Sequence, residues 1–299
     1  MSTPLELDLI KSGIDTVIKI QTKNGRLTFQ DVAPVINTKE GFYKAATITG
    51  FGDAGIFGRG VAVPSDRKLK QYETSYYPFR YAKAWEYDIY SKDEDVYNEM
   101  ADNASDIALS MRRRKNKEAA NLFNNGFDDT NYPGYDGHAL FYNTHPGVGG
   151  VTGSNRPATF NTPSPFAVEN AIAQYMSQTD PRGESMEFEG NLEVQVGNIL
   201  FPQMTRIIKA DGLSGTNDKD PNFAKDYVTV YRNDKITTST GMHFKAKNME
   251  EHGLRTIQFS PYRIATQDEA RTEQTVCVVS ERYRMIWLRW QGTFGDPGA

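Results

Sequence analysis

A chain of 299 residues that is 38% hydrophobic, with 16 Phe, 16 Tyr and 3 Trp, has enough apolar material for one large domain or two to three smaller subdomains. A formal net charge of −4 and a pI near 5.7 argue against a protein whose main task is to coat nucleic acid, which needs a basic stripe. The lone cysteine, Cys277, excludes an internal disulfide and a multi-cysteine zinc site. The opening "MSTPLELDLI" lacks a basic segment followed by an apolar run, and no window approaches 18 apolar residues. A signal peptide and a membrane span are therefore not expected, and folding in a cytoplasm is. The start at Met1 carries the expectation that no pro-segment was removed. The mean hydropathy of −0.60 is low for a compact enzyme of this size and points to extended, surface-rich arms beside a packed core.

In chain order, "STPLELDLIKSGIDTVIKI" starts as a helix: Thr3 can cap, Pro4 suits the first helical position and Glu6 completes a capping box. Ile10, Ile14, Val17 and Ile18 then share a face. From about residue 37 to 90 the chain is β-rich, and its middle holds Gly50, Gly52, Gly55, Gly58 and Gly60. Two stretched arms around a glycine-rich tip predict a long hairpin or extended loop. A phosphate loop is disfavoured, because no Gly-Lys-Ser/Thr ending and no strand-to-helix transition follow the glycines.

The strongest helix follows. Ser91 and Glu94 form a capping box, and Asp93, Glu94 and Asp95 suit the positive end of the dipole. Val96, Met100, Ala104, Ile107, Met111 and Leu122 mark one apolar stripe, and Asn124, Asn125 and Gly126 stop it. About 30 residues at roughly 1.5 Å each predict a rod of roughly 45 Å. In its middle, "RRRKNK" at 112–117 reads first as a solvated face. Contact with acidic surfaces of neighbouring subunits or with nucleic-acid phosphates are the alternatives.

Beyond a Gly/Thr/Asn/Pro loop, Ser164 and Pro165 start a short helix with Val168, Ala171, Ile172, Tyr175 and Met176 apolar. "LEVQVGNILF" predicts a buried strand, and Pro202 opens another short helix. The insertion at 211–226 reads as an exposed polar loop without the carboxylate order of a calcium-binding hand. "DYVTVYRND" and "MHFKAKNM" predict strands. The final "TVCVVSERYRMIWLRWQGTFG", with Trp287 and Trp290, reads as a long β-hairpin that buries Cys277 as a small hydrophobe.

No catalytic constellation is visible. There is no G-x-S-x-G nucleophile elbow, and no HExxH helix. His138 and His145 are split by a turn, and His243 and His252 lie far along the chain; "MEEHG" at 249–253 lacks a partner histidine. His138 and His145 read as structural or surface groups, with an adventitious metal as the alternative. No residue is assigned as catalytic, cofactor-binding or metal-ligating, and no cofactor is expected.

Two segments carry a family resemblance. "EAANLFNNGF" runs a long helix into an Asn/Gly stop, and "YDGHALFYNTHP" follows it. Asp136, Gly137, Leu140, Phe141, His145 and Pro146 match a D-G-x-x-L-F-x-x-x-H-P segment that often follows such a helix in Mu-like phage heads. The layout of the chain resembles the major capsid protein of tailed bacteriophages, whose coat fold is shared with encapsulin shells and the herpesvirus capsid floor. The departures are "ILFPQM", where a more apolar run is expected, and the insertion at 211–226.

The resemblance implies an α+β coat fold with an N-terminal arm (1–38), an extended hairpin loop (39–90) and a peripheral subdomain with a spine helix (91–162). An axial subdomain (163–254) and C-terminal strands returning to the peripheral subdomain (255–299) complete it. It implies a non-enzymatic subunit that self-assembles as hexamers and pentamers into an icosahedral head shell around double-stranded DNA. Head-to-tail contacts repeated around a ring close such an assembly. It implies a place in the virion, assembly in a bacterial cytoplasm, and scaffolding, portal and possible decoration proteins as partners, with no membrane and no sequence-specific DNA binding. An encapsulin-like compartment, a metal-dependent enzyme using His138 and His145, and a β-rich tail protein are the competing readings; the long helix counts against the last.

Overall fold

A computed structural model describes residues 28–52, 56–57, 59, 61–63, 65–88, 97–188, 191–212, 221–269 and 274–298. The helix expected from Thr3, the box at Ser91 and Glu94, glycines 55, 58 and 60 and the centre of the 211–226 insertion lie outside the described residues. The chain divides into two compact units. One comprises Met1–Tyr43, Tyr76–Ala119 and Thr256–Met285; the other comprises Lys44–Ser75, Ala120–Arg255 and Ile286–Ala299.

The first unit is a sheet backed by the long helix. Its four strands run in the order β1 (Val35–Asn37), β10 (Leu254–Glu269), β11 (Gln274–Trp287) and β4 (Phe79–Asp88). β1 lies parallel to β10, and β4 runs antiparallel to β11 from Gln274↔Asp88 to Tyr283↔Phe79. Along β11, Thr275, Cys277, Val279, Glu281 and Tyr283 are buried and alternate with more open residues, the period of two of a strand with one covered face. The cover is α2 (Tyr97–Asn124), whose Ile107, Ala108 and Met111 pack with Cys277 and Val279 and are flanked by Tyr81, Trp85, Tyr262 and Ile264. At 28 residues and about 1.5 Å each, this helix is roughly 42 Å long. Ahead of the sheet, α1 (Phe29–Val32) is opened by Asp31, whose carboxylate accepts the Thr28 N–H at 2.6 Å.

The second unit carries a four-stranded sheet in the order β12 (Thr293–Asp296), β9 (Met242–Ala246), β7 (Leu192–Val196) and β8 (Val228–Arg232). Every residue of β7, β9 and β12 is buried. Its core joins Leu192, Val194, Met242, Phe244 and Phe294 to α3 (Pro165–Met176) and α4 (Phe201–Lys209). The start of α3 is as expected: Ser164 Oγ accepts the Ala167 N–H at 3.2 Å, and Val168, Ala171, Ile172 and Tyr175 are buried. The stop after Asn124 also stands, with the Gly126 N–H turned back onto the Phe123 carbonyl. Two short pairs complete the unit, β2 (Tyr43–Ile48) with β3 (Lys70–Tyr76) and β5 (His145–Pro146) with β6 (Thr152–Gly153).

Two expectations change. The C-terminal segment is not a hairpin. Gln274–Trp287 is a single strand between β10 and β4, and Thr293–Asp296 crosses to pair with β9 in the other sheet. Alternation shows that a segment is a strand with two unlike faces, but not which neighbour it pairs with. The end of the 211–226 insertion is ordered as well. Asn222 Nδ2 donates to the carbonyls of Ile207, Ile208 and Ala210, closing the C-terminus of α4, and α5 (Ala224–Tyr227) follows.

Candidate functional site

The two glycine-framed histidines are not a pair. His138 stacks on Tyr142 with ring centroids 4.1 Å apart and has Asp129 beside its Nδ1 at 3.4 Å. His145 takes a different carboxylate: its Nδ1 lies 2.6 Å from Asp136 Oδ2, and the two side chains are 0% and 1% exposed. The imidazole stacks flat on Trp290 at 4.8 Å, and its Nε2 faces Asn155 Oδ1 at 3.3 Å. Asn155 is itself fixed. Its Nδ2 donates to the Leu140 carbonyl at 2.7 Å and to Thr293 Oγ1 at 3.1 Å, while its Oδ1 accepts the Tyr142 N–H at 2.9 Å. Leu140 and Phe141 are buried, and the φ of Gly137 is +83°, a turn conformation open to glycine.

Asp136 orients His145 as a carboxylate orients a general base, yet the chemistry ends there. The second ring nitrogen meets an amide oxygen rather than a nucleophile, and the ring is sealed from substrate. The network ties the segment after α2 to the loop at 155 and to β12. The motif match singled out Asp136 and His145 but not their mutual contact, and it missed Asn155. Only an asparagine two residues after Gly153, at the end of a glycine-rich stretch, marks that position.

The remaining candidates are structural. His243 is buried in a stack with Phe123 and Phe141, and burial lowers its pKa to about 3. Burial also lowers His252 to about 2. Cys277 lies in its strand as expected, and burial pushes its thiol up to about 12, far from a reactive thiolate. Among the described residues no group of three or more His, Cys, Asp or Glu side chains is placed to hold a metal.

The "RRRKNK" run is not uniformly a solvated face. Arg113, Arg114 and Lys117 are exposed, but Lys115 is buried. Its Nζ pairs with the buried Glu281 at 2.6 Å and lies over the rings of Phe29, Tyr262 and Tyr283 at 5.0–5.2 Å. Asn116 accepts the Phe29 N–H at 3.0 Å. A helix in a groove turns part of any charge run inward, and three aromatic faces with one carboxylate compensate a single ammonium there.

Apolar exposure is concentrated in the glycine-tipped segment. Ile48, Phe51, Ile56, Phe57, Val61 and Val63 all face solvent, Ile56 completely. A lone two-stranded ribbon cannot bury such side chains. Its arms are as expected, β2 and β3, but the ribbon is also pinned within its own unit. Arg182 Nη1 meets Asp66 Oδ2 at 2.7 Å, Arg182 Nη2 donates to the Arg67 carbonyl at 2.6 Å, and Gln71 donates to the Pro146 carbonyl at 2.9 Å. The Arg182 guanidinium, with the Gly52 and Arg67 N–H groups, lowers the exposed Asp66 carboxyl to about 2.

No family model and no curated protein matches the sequence. Solved structures do match. The capsid of an empty GTA particle superposes with a TM-score of 0.59 at 11% identity, covering 89% of this chain and 88% of that one. The capsid of Ralstonia phage GP4 gives 0.58 at 9% identity over 90% and 87% of the two chains. An encapsulin complex from Synechococcus elongatus gives 0.53 at 10% identity over 94% and 95%. Matched over most of both chains in each case, the protein has the α+β coat fold found in tailed-phage capsid proteins and encapsulin shells.

Proposed function

We propose that the protein is the structural subunit of a tailed-phage head. It self-assembles as hexamers and pentamers into an icosahedral shell that encloses double-stranded DNA, and it carries no enzymatic activity. The carrying observation is the coat fold, matched over nearly the whole chain, together with the solvent-facing apolar side chains of segment 48–63. A second copy is the natural cover for that surface, because repeated head-to-tail contacts bury in the assembly what one subunit leaves open. In this reading 1–38 is the arm on a neighbouring subunit, 39–90 the overlapping loop, 91–162 and 255–299 the peripheral subdomain, and 163–254 the axial subdomain. Scaffolding, portal and decoration proteins are its partners. Assembly takes place in the host cytoplasm and the product is the virion.

Electron microscopy of the purified protein and of its native particle tests the proposal. DNA-containing icosahedral shells support it. Small shells filled with a protein cargo favour a compartment of the encapsulin type, a reading that draws on the likeness to the Synechococcus elongatus complex. A stable monomer or dimer that never forms shells overturns both.

A further inference from the structure

The sheet of the first unit has a second face, opposite the long helix. Strand alternation assigns its residues: on β11, Val276, Val278, Ser280 and Arg282, between the buried Cys277, Val279, Glu281 and Tyr283. Register places Glu86, Ala84, Ala82 and Arg80 of β4 directly opposite these four. On β10, Tyr262 and Ile264 pack toward the helix side, which turns the exposed Arg263 and Ala265 to the other. Arg80, Ala82, Ala84 and Glu86 are exposed, as is Arg282.

One pairing on this face is unfavourable as it stands. Arg80 and Arg282 are direct cross-strand partners and both are exposed. Like charges opposite one another in an antiparallel pair destabilise the sheet, since the two side chains leave it only about 5 Å apart. Among the described residues no carboxylate pairs with Arg80, Arg263 or Arg282. Between them the face is small and flat, Ala82, Ala84, Ala265, Ser280 and the half-buried Val276 and Val278, and its acidic positions Glu86, Asp88 and Glu269 fall toward the other end of the strands, away from Arg80 and Arg282. The large exposed apolar side chains lie elsewhere, apart from Phe79 at its end. A protein partner would be expected to find aromatic and large apolar anchors at the centre of its interface, and here the centre holds only alanines, a serine and two half-buried valines. A planar guanidinium fork matches phosphate oxygens bidentately, and a run of phosphates offers each arginine its own anion.

We infer that this arginine face, centred on the opposed Arg80 and Arg282, receives the phosphate backbone of double-stranded DNA without reading its sequence. The inference rests on the proposed role as a DNA-enclosing shell, and it adds a defined contact to an otherwise acidic chain.

The test measures binding of the purified protein to a short double-stranded DNA by fluorescence anisotropy between about 50 and 200 mM salt. The R80Q/R282Q variant is expected to bind more weakly, with the slope of log affinity against log salt shallower by about 2, and to melt no lower than the parent. R80E, which sets a carboxylate opposite Arg282, is expected to raise the melting temperature and weaken DNA binding at the same time. A purely structural arginine pair would not move the two readouts in opposite directions. Unchanged affinity and slope in both variants overturn the inference. So does a variant that binds DNA normally but no longer forms particles, which would assign the face to an acidic surface of another copy. Particle formation by the parent protein, scored separately by electron microscopy, tells failure of this contact from failure of the shell reading.

Discussion

The Nζ of Lys115 lies 2.6 Å from Oε2 of Glu281, joining the long helix to β11 through an ion pair buried on both sides. No other described donor reaches either oxygen of Glu281, and burial pushes its carboxyl above its ordinary pKa against the pull of Lys115. Removing one partner strands the other charge in an aromatic pocket. K115A is therefore expected to cost about 3–5 kcal/mol, whereas the apolar pair K115M/E281L falls within about 1 kcal/mol of the parent or above it. Denaturant unfolding of the purified protein measures both, and equal losses in the two variants would contradict the account.

The Asp136–His145–Asn155 network predicts an order rather than one number. D136N keeps an oxygen for the His145 N–H, whereas D136A leaves that donor buried without one. The alanine variant should lose about 1–3 kcal/mol or more, and the asparagine variant clearly less. Midpoints of unfolding at constant denaturant slope read the difference; the reverse order would refute the role given to the carboxylate.

Two glycines are set by tryptophans. A Cβ on Gly134 would sit 1.7 Å from the Trp287 ring, and one on Gly153 would sit 2.3 Å from that of Trp290. Neither ring can slide away, since both are buried. G134A and G153A are each expected to cost at least about 1–3 kcal/mol through overpacking. The control is G149A, whose added Cβ meets nothing; strain at its φ of +69° limits the loss to about 1 kcal/mol.

Acid should weaken the second unit through His243 and His252. Burial holds His243 near pKa 3 and His252 near 2, so between about pH 6.5 and 3 the unfolded chain binds protons that the folded one refuses. Stability is then complete above pH 6.5 and falls as pH drops, by up to about 1.4 kcal/mol per pH unit for each histidine. H243F removes one titrating group. It is expected to narrow the gap between stability at pH 7 and at pH 4.5 by about 1–3 kcal/mol, and an unaltered gap would contradict this cause.

The ribbon and its pin separate two functions. R182A frees Asp66 and the Arg67 carbonyl, and amide exchange across residues 44–75 is expected to speed up with little change in global unfolding. The I56D/F57D variant leaves those contacts in place and is expected to yield soluble subunits that no longer assemble. Normal particles from that variant would remove the ribbon tip from the assembly account.

By itself the sequence determined what is local and periodic. The 3.6-residue stripe and Asn/Gly stop defined the helix ending at Asn124. Ser164 marked the start of α3, the run LEVQVGNILF marked a buried strand at β7, and the glycine tip marked the ribbon. Tertiary structure alone decided which distant groups meet. It sent Thr293–Asp296 to β9, brought Asp136 onto His145, and turned Lys115 out of an otherwise solvated basic run toward Glu281. The physical reason is the same in each case. Periodicity says which side of an element avoids water, but a strand edge, a carboxylate or an ammonium can be satisfied by many partners, and only closure of the whole chain selects one. The stretch at 136–150 shows both halves: its spacing marked the right residues, and packing made them a structural clasp.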